Sequence, residues 1–564
     1  MAETQSQTAA EALLTRLKTN GIDYLFANGG TDFAPVIEGL ARASVNGAAM
    51  PEALPIPHET AAIAMAHGLH LVTGKPQAVM VHTNVGLANA VMGLINAAAD
   101  NIPLIVMSGR TPVTEQGRTG SRNAAIHWGQ EMRDQAAMVR ECTKWDYELR
   151  FPEQAAELVD RAVAIATSAP TGPVYMSLPR EVLCQPAPAA PPGLTQRPAL
   201  PALPEAAALA EAAALLAKAE RPLIIAQRSG DTPAGFAALV ELAEALGAPV
   251  VEHWPVRNSM PTEHALHAGF DPHPLLAEAD AVLVVDALVP WMPDKASPPP
   301  GARVIQIGPD PLFSRFPVRG YRADLALAGD TTAILAALAA ALEGRVKDAD
   351  KRRAAAAGRN QSRRAQATER ARAGASAPMT NAWVSHCVSE ALKRDGIVFS
   401  ELGVNPGSMA IDRPGQYFAH ALSGGLGWGL PAALGAQLAD RDRLVVASIG
   451  DGSYQFANPI SCHQVAEAQN LPVLTIVFNN GIWNAVRRST LAIYGDGHAA
   501  RANRMPVTSL APSPDYAKIV EASRGFGQRV ERGEDLPKAL DRAIDVIRNE
   551  KRQALLDVSV AVEG

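Results

Sequence analysis

Cysteine is scarce: the chain has four in 564 residues, and Cys142, Cys184, Cys387 and Cys462 stand far apart without a CxxC pair. That excludes a zinc module and a dense disulfide framework, and fits a reducing compartment such as the cytoplasm. Positive charge is not in excess either. The formal net charge is −6, and basic residues are scattered apart from one stretch near 345–373, so no nucleic-acid footprint is expected. No apolar run approaches the length of a membrane span, and Met1–Ala10 lacks the basic and apolar segments of an export signal. The partner to expect is a small molecule. What the chain has in quantity is core-forming residues, 48% hydrophobic, enough for about three or four domains of ordinary size.

Two breaks in composition divide it. Residues 185–204 are crowded with Pro and Ala, which favours an extended linker. Residues 344–378 mix Arg, Lys, Ala and Gly, and read as a solvated helix with a flexible connector, its basic residues forming a wet face. The resulting segments are 1–184, 205–343 and 379–564. Each alternates short apolar strands with Ala/Leu-rich helices, the pattern of an α/β fold with a doubly wound parallel sheet. Helix Ala9–Thr19 and strand Ile22–Ala27 open the first; Pro222–Ala226, Pro249–Glu252, Ala281–Val285 and Val304–Ile307 are the strands of the second.

The third segment carries the most informative pair. Gly450-Asp451-Gly452-Ser453 follows the apolar run Leu444–Ile449, and Asn479-Asn480 follows Leu474–Phe478. Both polar clusters therefore sit where buried strands end, joined by a crossover helix within Asn458–Gln469, so the strands are parallel. Ligands of such sheets bind at those ends. Asp451 and Asn480 offer hard oxygens suited to Mg²⁺ or Ca²⁺, while Gly452 and Ser453 open a helix whose free N–H groups favour an anion such as a diphosphate. Two ordinary turns are the alternative.

The motifs extend further, and in order: Tyr24–Thr31 (YLFANGGT), His58-Glu59, Val81–Ala90 (VHTNVGLANA), Gly172–Pro179 (GPVYMSLP) and Gly424–Pro431 (GGLGWGLP). With GDGS and NN, these resemble the thiamine diphosphate (ThDP) enzymes of the acetolactate synthase, benzoylformate decarboxylase and benzaldehyde lyase group, over nearly the whole chain. The resemblance implies three doubly wound parallel-sheet domains: pyrimidine-binding, central and diphosphate-binding. It implies Asp451, Asn480 and the Ile482 carbonyl as metal ligands, and Asn405, Gly425, Leu426, Gly452, Ser453 and Ile482 against the cofactor, with Leu426 as the wedge between its rings. It also implies a homodimer or tetramer, since two chains complete a site in that group. FAD is not expected, because the middle segment has no Gly-rich phosphate turn after its first strand.

Four residues would carry the chemistry. Glu59 stands where the group places the glutamate that activates the pyrimidine ring, although an acid at a helix N-terminus also complements the macrodipole. His82 lies where benzoylformate decarboxylases have a proton-transferring histidine; imidazole titrates near working pH, which suits that role. A structural histidine is the alternative. Thr31 retains the hydroxyl of a substrate-contacting serine, or merely caps a turn. Gln130 instead resembles a glutamine of acetolactate synthases and benzaldehyde lyase. A second active-site histidine expected from the middle segment is not evident near Val289–Asp294, and Ala485–Ser489 lacks the aromatic that lines an aryl pocket. His58, His67 and His70 read as structural or exposed, and Gly425-x-Gly427-x-Gly429 has the wrong spacing for a dinucleotide fingerprint. The expected activity is non-oxidative decarboxylation of a 2-oxo acid to an aldehyde and CO₂ through a C2 carbanion. Carboligation forming or cleaving 2-hydroxy ketones is the rival, and a non-catalytic subunit with this fold is a third possibility.

Overall fold

Runs that are apolar without alternation become strands buried on both faces, which is how parallel sheets under two layers of helices read. The structure, a computed structural model, describes residues 7–189, 191, 193–393, 395–502 and 504–563; Met1–Ser6, part of the segment read for an export signal, lies outside the described residues. The first sheet holds β1 (Tyr24–Ala27), β2 (Glu52–Pro55), β3 (Gln77–Val81), β4 (Leu104–Arg110), β5 (Asp146–Glu148) and β6 (Val174–Pro179) in the order β2-β1-β3-β4-β6-β5. The middle sheet holds β7 (Pro222–Ala226), β8 (Val250–Glu252), β9 (Ala281–Val285), β10 (Arg303–Gly308) and β11 (Leu325–Ala328) in the order β11-β10-β9-β7-β8. The third holds β12 (Ile397–Glu401), β13 (Tyr417–Ala419), β14 (Val445–Gly450), β15 (Leu474–Asn479), β16 (Phe526–Val530) and β17 (Ala554–Ser559) in the order β13-β12-β14-β15-β17-β16. Every pair is parallel. Three parallel α/β sheets are thus present, and in the first and third the order breaks between the first and third strands, where such sheets bind ligands.

The chain packs as two compact units. One comprises the chain up to Leu200 with His420–Arg441 and Ser453–Val473; the other comprises Pro201–Ala419, Asp442–Gly452 and the chain from Leu474 onward. Within the first unit, helix Glu59–Thr73 packs on helix Gly429–Gln437 at very close range. A Cβ on Gly68 would lie 1.9 Å from the Ala432 carbonyl oxygen, and one on Gly435 1.9 Å from that of Met65. Only glycine permits this crossing, which fixes the helix that begins with Glu59.

Both composition breaks are better anchored than their sequence predicts. In the first, Arg16 forms a buried pair with Asp160, donating through Nε at 2.7 Å, and its Nη1 donates to the Pro191 carbonyl at 3.1 Å. The Thr195 N–H donates to the same aspartate at 2.7 Å, so Pro191 and Thr195 of the Pro-rich run are tied to this pair. The second is mostly one helix, Ala349–Ala373, and its face is not simply wet. Arg352 and Arg353 donate to the Leu246 and Glu244 carbonyls at 3.2 and 2.7 Å, capping the last turn of helix Pro233–Leu246. Asn360 donates to the His264 carbonyl at 2.6 Å. Among the described residues no helix is long and apolar enough to cross a membrane.

Candidate active site

The end of β1, the end of β3 and the long connection after β4 each deliver one polar side chain in the first unit. His82 directly follows β3 and stands at the N-cap position of helix Thr83–Ala99, with its side chain free of any capping bond. Its Nδ1 lies 2.5 Å from Oδ1 of Asp32, and its Nε2 lies 3.2 Å from Nε2 of Gln130. The amide nitrogen can only donate, so Nε2 accepts and Nδ1 carries the proton to Asp32. Asp32 is buried, and its hydrogen bond raises the His82 pKa above the ordinary imidazole value, against the lowering effect of burial. Thr83, directly after His82, takes a φ of +42°, a strained conformation for a β-branched residue.

Three glycines make room for these groups. A Cβ on Gly30 would lie 2.1 Å from His82 Nδ1, one on Gly109 would lie 1.6 Å from Asp32 Oδ2, and one on Gly86 would lie 3.1 Å from Glu59 Oε1. Glu59 is the first residue of its helix, and its Oε2 accepts from Asn89 Nδ2 at 3.1 Å. Thr31 heads the short turn Thr31–Phe33 with its side chain exposed; the neighbour Asp32, which the sequence reading passed over, makes the contact with His82. Arg180 ties the turn to the connection that carries Gln130, donating to the carbonyls of Thr31 at 3.3 Å, Gly120 at 2.9 Å and Ser121 at 2.7 Å. His127, on the connection after β4, lies close enough to His82 to feel its charge. His127 is buried, its Nδ1 accepts from the Asn123 N–H at 3.2 Å, and burial first, then Arg180 and Arg122, push its pKa down. His67 is buried with its ring edge-on to Trp428 at 5.5 Å, and His58 caps its helix by accepting from the Thr60 N–H. The loop with Gly425 and Leu426 is clasped by Asn96, which donates to the Gly425 carbonyl at 2.8 Å and accepts from the Gly425 N–H at 3.1 Å.

The third sheet presents a different set. Asp451, buried at the end of β14, accepts from the Gly452 N–H at 2.9 Å and the Gly481 N–H at 2.7 Å. Burial raises its pKa, opposed by these backbone donors, and among the described residues no Lys or Arg pairs with it. Asn480 follows β15; its Oδ1 accepts from the Ile482 N–H at 3.0 Å, and the Ile482 carbonyl accepts from Asn484 N–H at 2.9 Å. The two side chains of the sequence reading therefore sit on adjacent parallel strands, joined through the Gly481 N–H. Trp483 lies against Gly452, where a Cβ would be 2.2 Å from Cζ3. Ser453 has a buried Oγ without a hydrogen-bond partner. Asn405 uses its Oδ1 to accept from the Gly407 N–H at 2.9 Å and, with Gly407 and Ser408, borders a cavity of about 540 Å³.

Comparison with known proteins decides the family. Residues 7–138, 209–338 and 405–558 match the N-terminal TPP binding domain, the central domain and the C-terminal TPP binding domain of thiamine pyrophosphate enzymes, thiamine pyrophosphate being another name for ThDP. The chain is a ThDP-dependent enzyme. A "probable 2-ketoarginine decarboxylase" of Pseudomonas aeruginosa is 28% identical over 94% of this chain and 90% of its own, and a sulfoacetaldehyde acetyltransferase of Castellaniella defragrans is 27% identical over 98% and 93%. The fold is shared with a ThDP-dependent 4-hydroxybenzoylformate decarboxylase of Rhodococcus jostii RHA1, TM-score 0.79 at 24% identity over 99% of this chain and 100% of the other. The residues present suit the ThDP enzymes' cofactor and a hard cation: a buried carboxylate with no Lys or Arg paired to it among the described residues, an amide oxygen just past the end of the neighbouring strand, and an orphaned buried hydroxyl on the first turn of helix Asp451–Phe456.

Proposed function

We propose that this enzyme removes CO₂ from a 2-oxo acid and releases the aldehyde, using ThDP held through Mg²⁺ or Ca²⁺. The observation that carries the reading is His82, bonded to Asp32 on one ring nitrogen and to Gln130 on the other. Bound ThDP supplies a carbon nucleophile and an electron sink for the bond to CO₂. Asp451, Asn480 and the Ile482 carbonyl would hold the metal; Asn405, Gly452 and Ser453 would line the diphosphate end, and Gly425 and Leu426 the bend between the rings. Glu59 would hydrogen-bond the pyrimidine ring.

His82 is the proton donor for the product carbon, and Asp32 keeps it charged nearer to neutral pH. Gln130 suits both states of the ring. Its Nε2 donates to the neutral imidazole, and its Oε1, buried and without a partner, would accept from the imidazolium once the amide turns over. Thr31, exposed beside Asp32, would meet substrate. The contact between His82 and Gln130 also merges two clues that in sequence point to different reactions. Carboligation is therefore the second reading, supported by Gln130 and by an acetyltransferase among the relatives. Release of CO₂ from a panel of aliphatic and aryl 2-oxo acids, with products analysed with and without an added acceptor aldehyde, separates the two. Aldehyde as the main product supports decarboxylation even with acceptor present; a 2-hydroxy ketone as the main product overturns it.

We propose further that the enzyme works as a homodimer or tetramer in the cytoplasm. Helix Thr83–Ala99 leaves Val85 and Ile95 exposed at 50% and 41%, an apolar stripe on the helix that carries Asn89 beside Glu59. Fully active monomers in sedimentation at assay concentration would refute this.

A further inference from the structure

Helix Ala349–Ala373 spends Arg352 and Arg353 on carbonyls but leaves a later arginine, Arg363, without a counterion. Its Nη2 donates to Asn360 Oδ1 at 2.7 Å and to His267 Nδ1 at 3.1 Å, which fixes the guanidinium plane. His267 bonds Glu252 through Nε2 at 3.0 Å, and neither that acid nor any other among the described residues forms an ion pair with Arg363. Nε is shielded from water without a hydrogen-bond partner. It lies over Gly269, where φ is +93° and a Cβ would stand 3.4 Å from it. Burial, then Arg364, push the Arg363 pKa down, the reverse of what a carboxylate partner does. Nη1 makes no hydrogen bond among the described residues.

The side chain borders open space. Arg363 is a wall of three cavities, of about 540, 220 and 140 Å³, and all of their lining lies within Pro201–Ala419 of one compact unit. The largest runs along Arg363, Ala367 and Arg370, which at spacings of four and three share one face of the helix. The alanine leaves space between the two arginines. Phe270 and Pro274, from the connection after β8, give the cavity an apolar flank. The acid on its wall, Asp271, accepts from the His273 N–H at 3.1 Å and is bonded by the His273 ring, so positive charge is in excess. A guanidinium drawn out of water without an anion bears a desolvation cost that a ligand oxygen at Nη1 would offset. Two arginines suit a doubly charged oxyanion such as phosphate. We infer that this cavity binds a phosphate monoester, the phosphate on Arg363 and Arg370 and an apolar body along Phe270 and Pro274.

Asn405 borders the same cavity and on the proposed function meets the cofactor, so ThDP is kept bound throughout the test. Calorimetry on the ThDP-loaded enzyme uses phenyl phosphate, inorganic phosphate and phenol. Phenyl phosphate is expected to bind, inorganic phosphate to bind more weakly, and phenol to give no measurable heat. Arg363→Met should weaken phenyl phosphate by about 10- to 100-fold, the range of a charge-assisted hydrogen bond, with ThDP affinity unchanged, and Arg363→Lys should recover part of the loss. Removing a half-buried arginine also strains the fold, so Ala367→Leu gives a second reading. It keeps both charges and fills the space between them, and should weaken phenyl phosphate more than inorganic phosphate. Failure of phenyl phosphate to bind the parent, or binding unchanged in Arg363→Met, overturns the assignment. So does binding that ThDP displaces, because the phosphate then sits in the cofactor's place. A sedimentation profile altered by Arg363→Met, with no phosphate bound by the parent, overturns it as well, since the arginine then pairs with a carboxylate of a second chain.

Discussion

The first and third sheets share one strand order, the second strand outside the first and the fifth outside the sixth, yet their strand ends carry different chemistry. In the first, the connections after strands one, three and four bring Asp32, His82 and Gln130 together. In the third, the equivalent connections bear Asn405, Asp451 and Asn480. Asp32 is matched to an imidazole, and so sets a proton's position. Asp451 accepts from backbone N–H groups and, among the described residues, pairs with no Lys or Arg. On the proposed function one scaffold would serve a proton-handling half and a cofactor-holding half, and the difference lies in the few residues past each strand rather than in the sheets.

The widest separation of the two halves should come from Asp451→Ala. Removing a direct ligand is expected to weaken metal-dependent ThDP binding by more than the 10- to 100-fold, roughly, that outer-shell changes cost, leaving no measurable heat in calorimetry at ordinary concentrations. His82→Ala should bind ThDP as the parent does while turnover falls by about 10²-fold or more, the scale of general acid catalysis. If Asp451→Ala binds ThDP and Mg²⁺ normally, the division of labour collapses. Aldehyde formation unaltered in His82→Ala would remove its proton-handling side.

The two halves also differed in how far the sequence exposed them. The places of Asp451 and Asn480 at strand ends were legible because each follows an apolar β-branched run, and β14 and β15 lie within a residue of where those runs placed them. His82 was legible for the same reason. Asp32 was not: it sits in a turn after Thr31, and its meaning depends on His82, far along the chain, and on room left by Gly30 and Gly109. A glycine at the end of a run reads as a turn, whereas here its missing Cβ is the space another side chain fills. Arg352 and Arg353 read as solvated because composition cannot show that unsatisfied helix carbonyls await them.

A smaller contrast sharpens the comparison with one methyl group in each half. Gly30→Ala puts a carbon into the His82 imidazole, and Gly452→Ala puts one into the Trp483 ring. The first should lower turnover, by about 10-fold or more as general acid catalysis is impaired, with little change in ThDP affinity. The second should weaken ThDP affinity before turnover at saturation. Equal effects of both substitutions on affinity and turnover would show that the halves are not separable.

The subtlest effect belongs to Asp32→Asn, which keeps the shape and removes the charge. Because Asp32 raises the His82 pKa, its loss lowers it, so the alkaline limb of the pH–rate profile, where a proton-donating His82 empties, should move to lower pH. ThDP affinity should stay level, since no ligand of the third sheet has changed. Stability supplies an independent reading. A histidine whose folded pKa is raised contributes stability that is complete below its ordinary value and disappears as pH rises through the raised one. Asp32→Asn should therefore cost most in mildly acid solution, about 1.5–3 kcal/mol for a hydrogen bond to a charged group, and approach the parent in alkaline solution. Denaturant titrations at the two ends of that range measure it. A pH–rate profile that stays in place, or a stability gap that widens toward alkaline pH, would mean that Asp32 holds the turn rather than the proton.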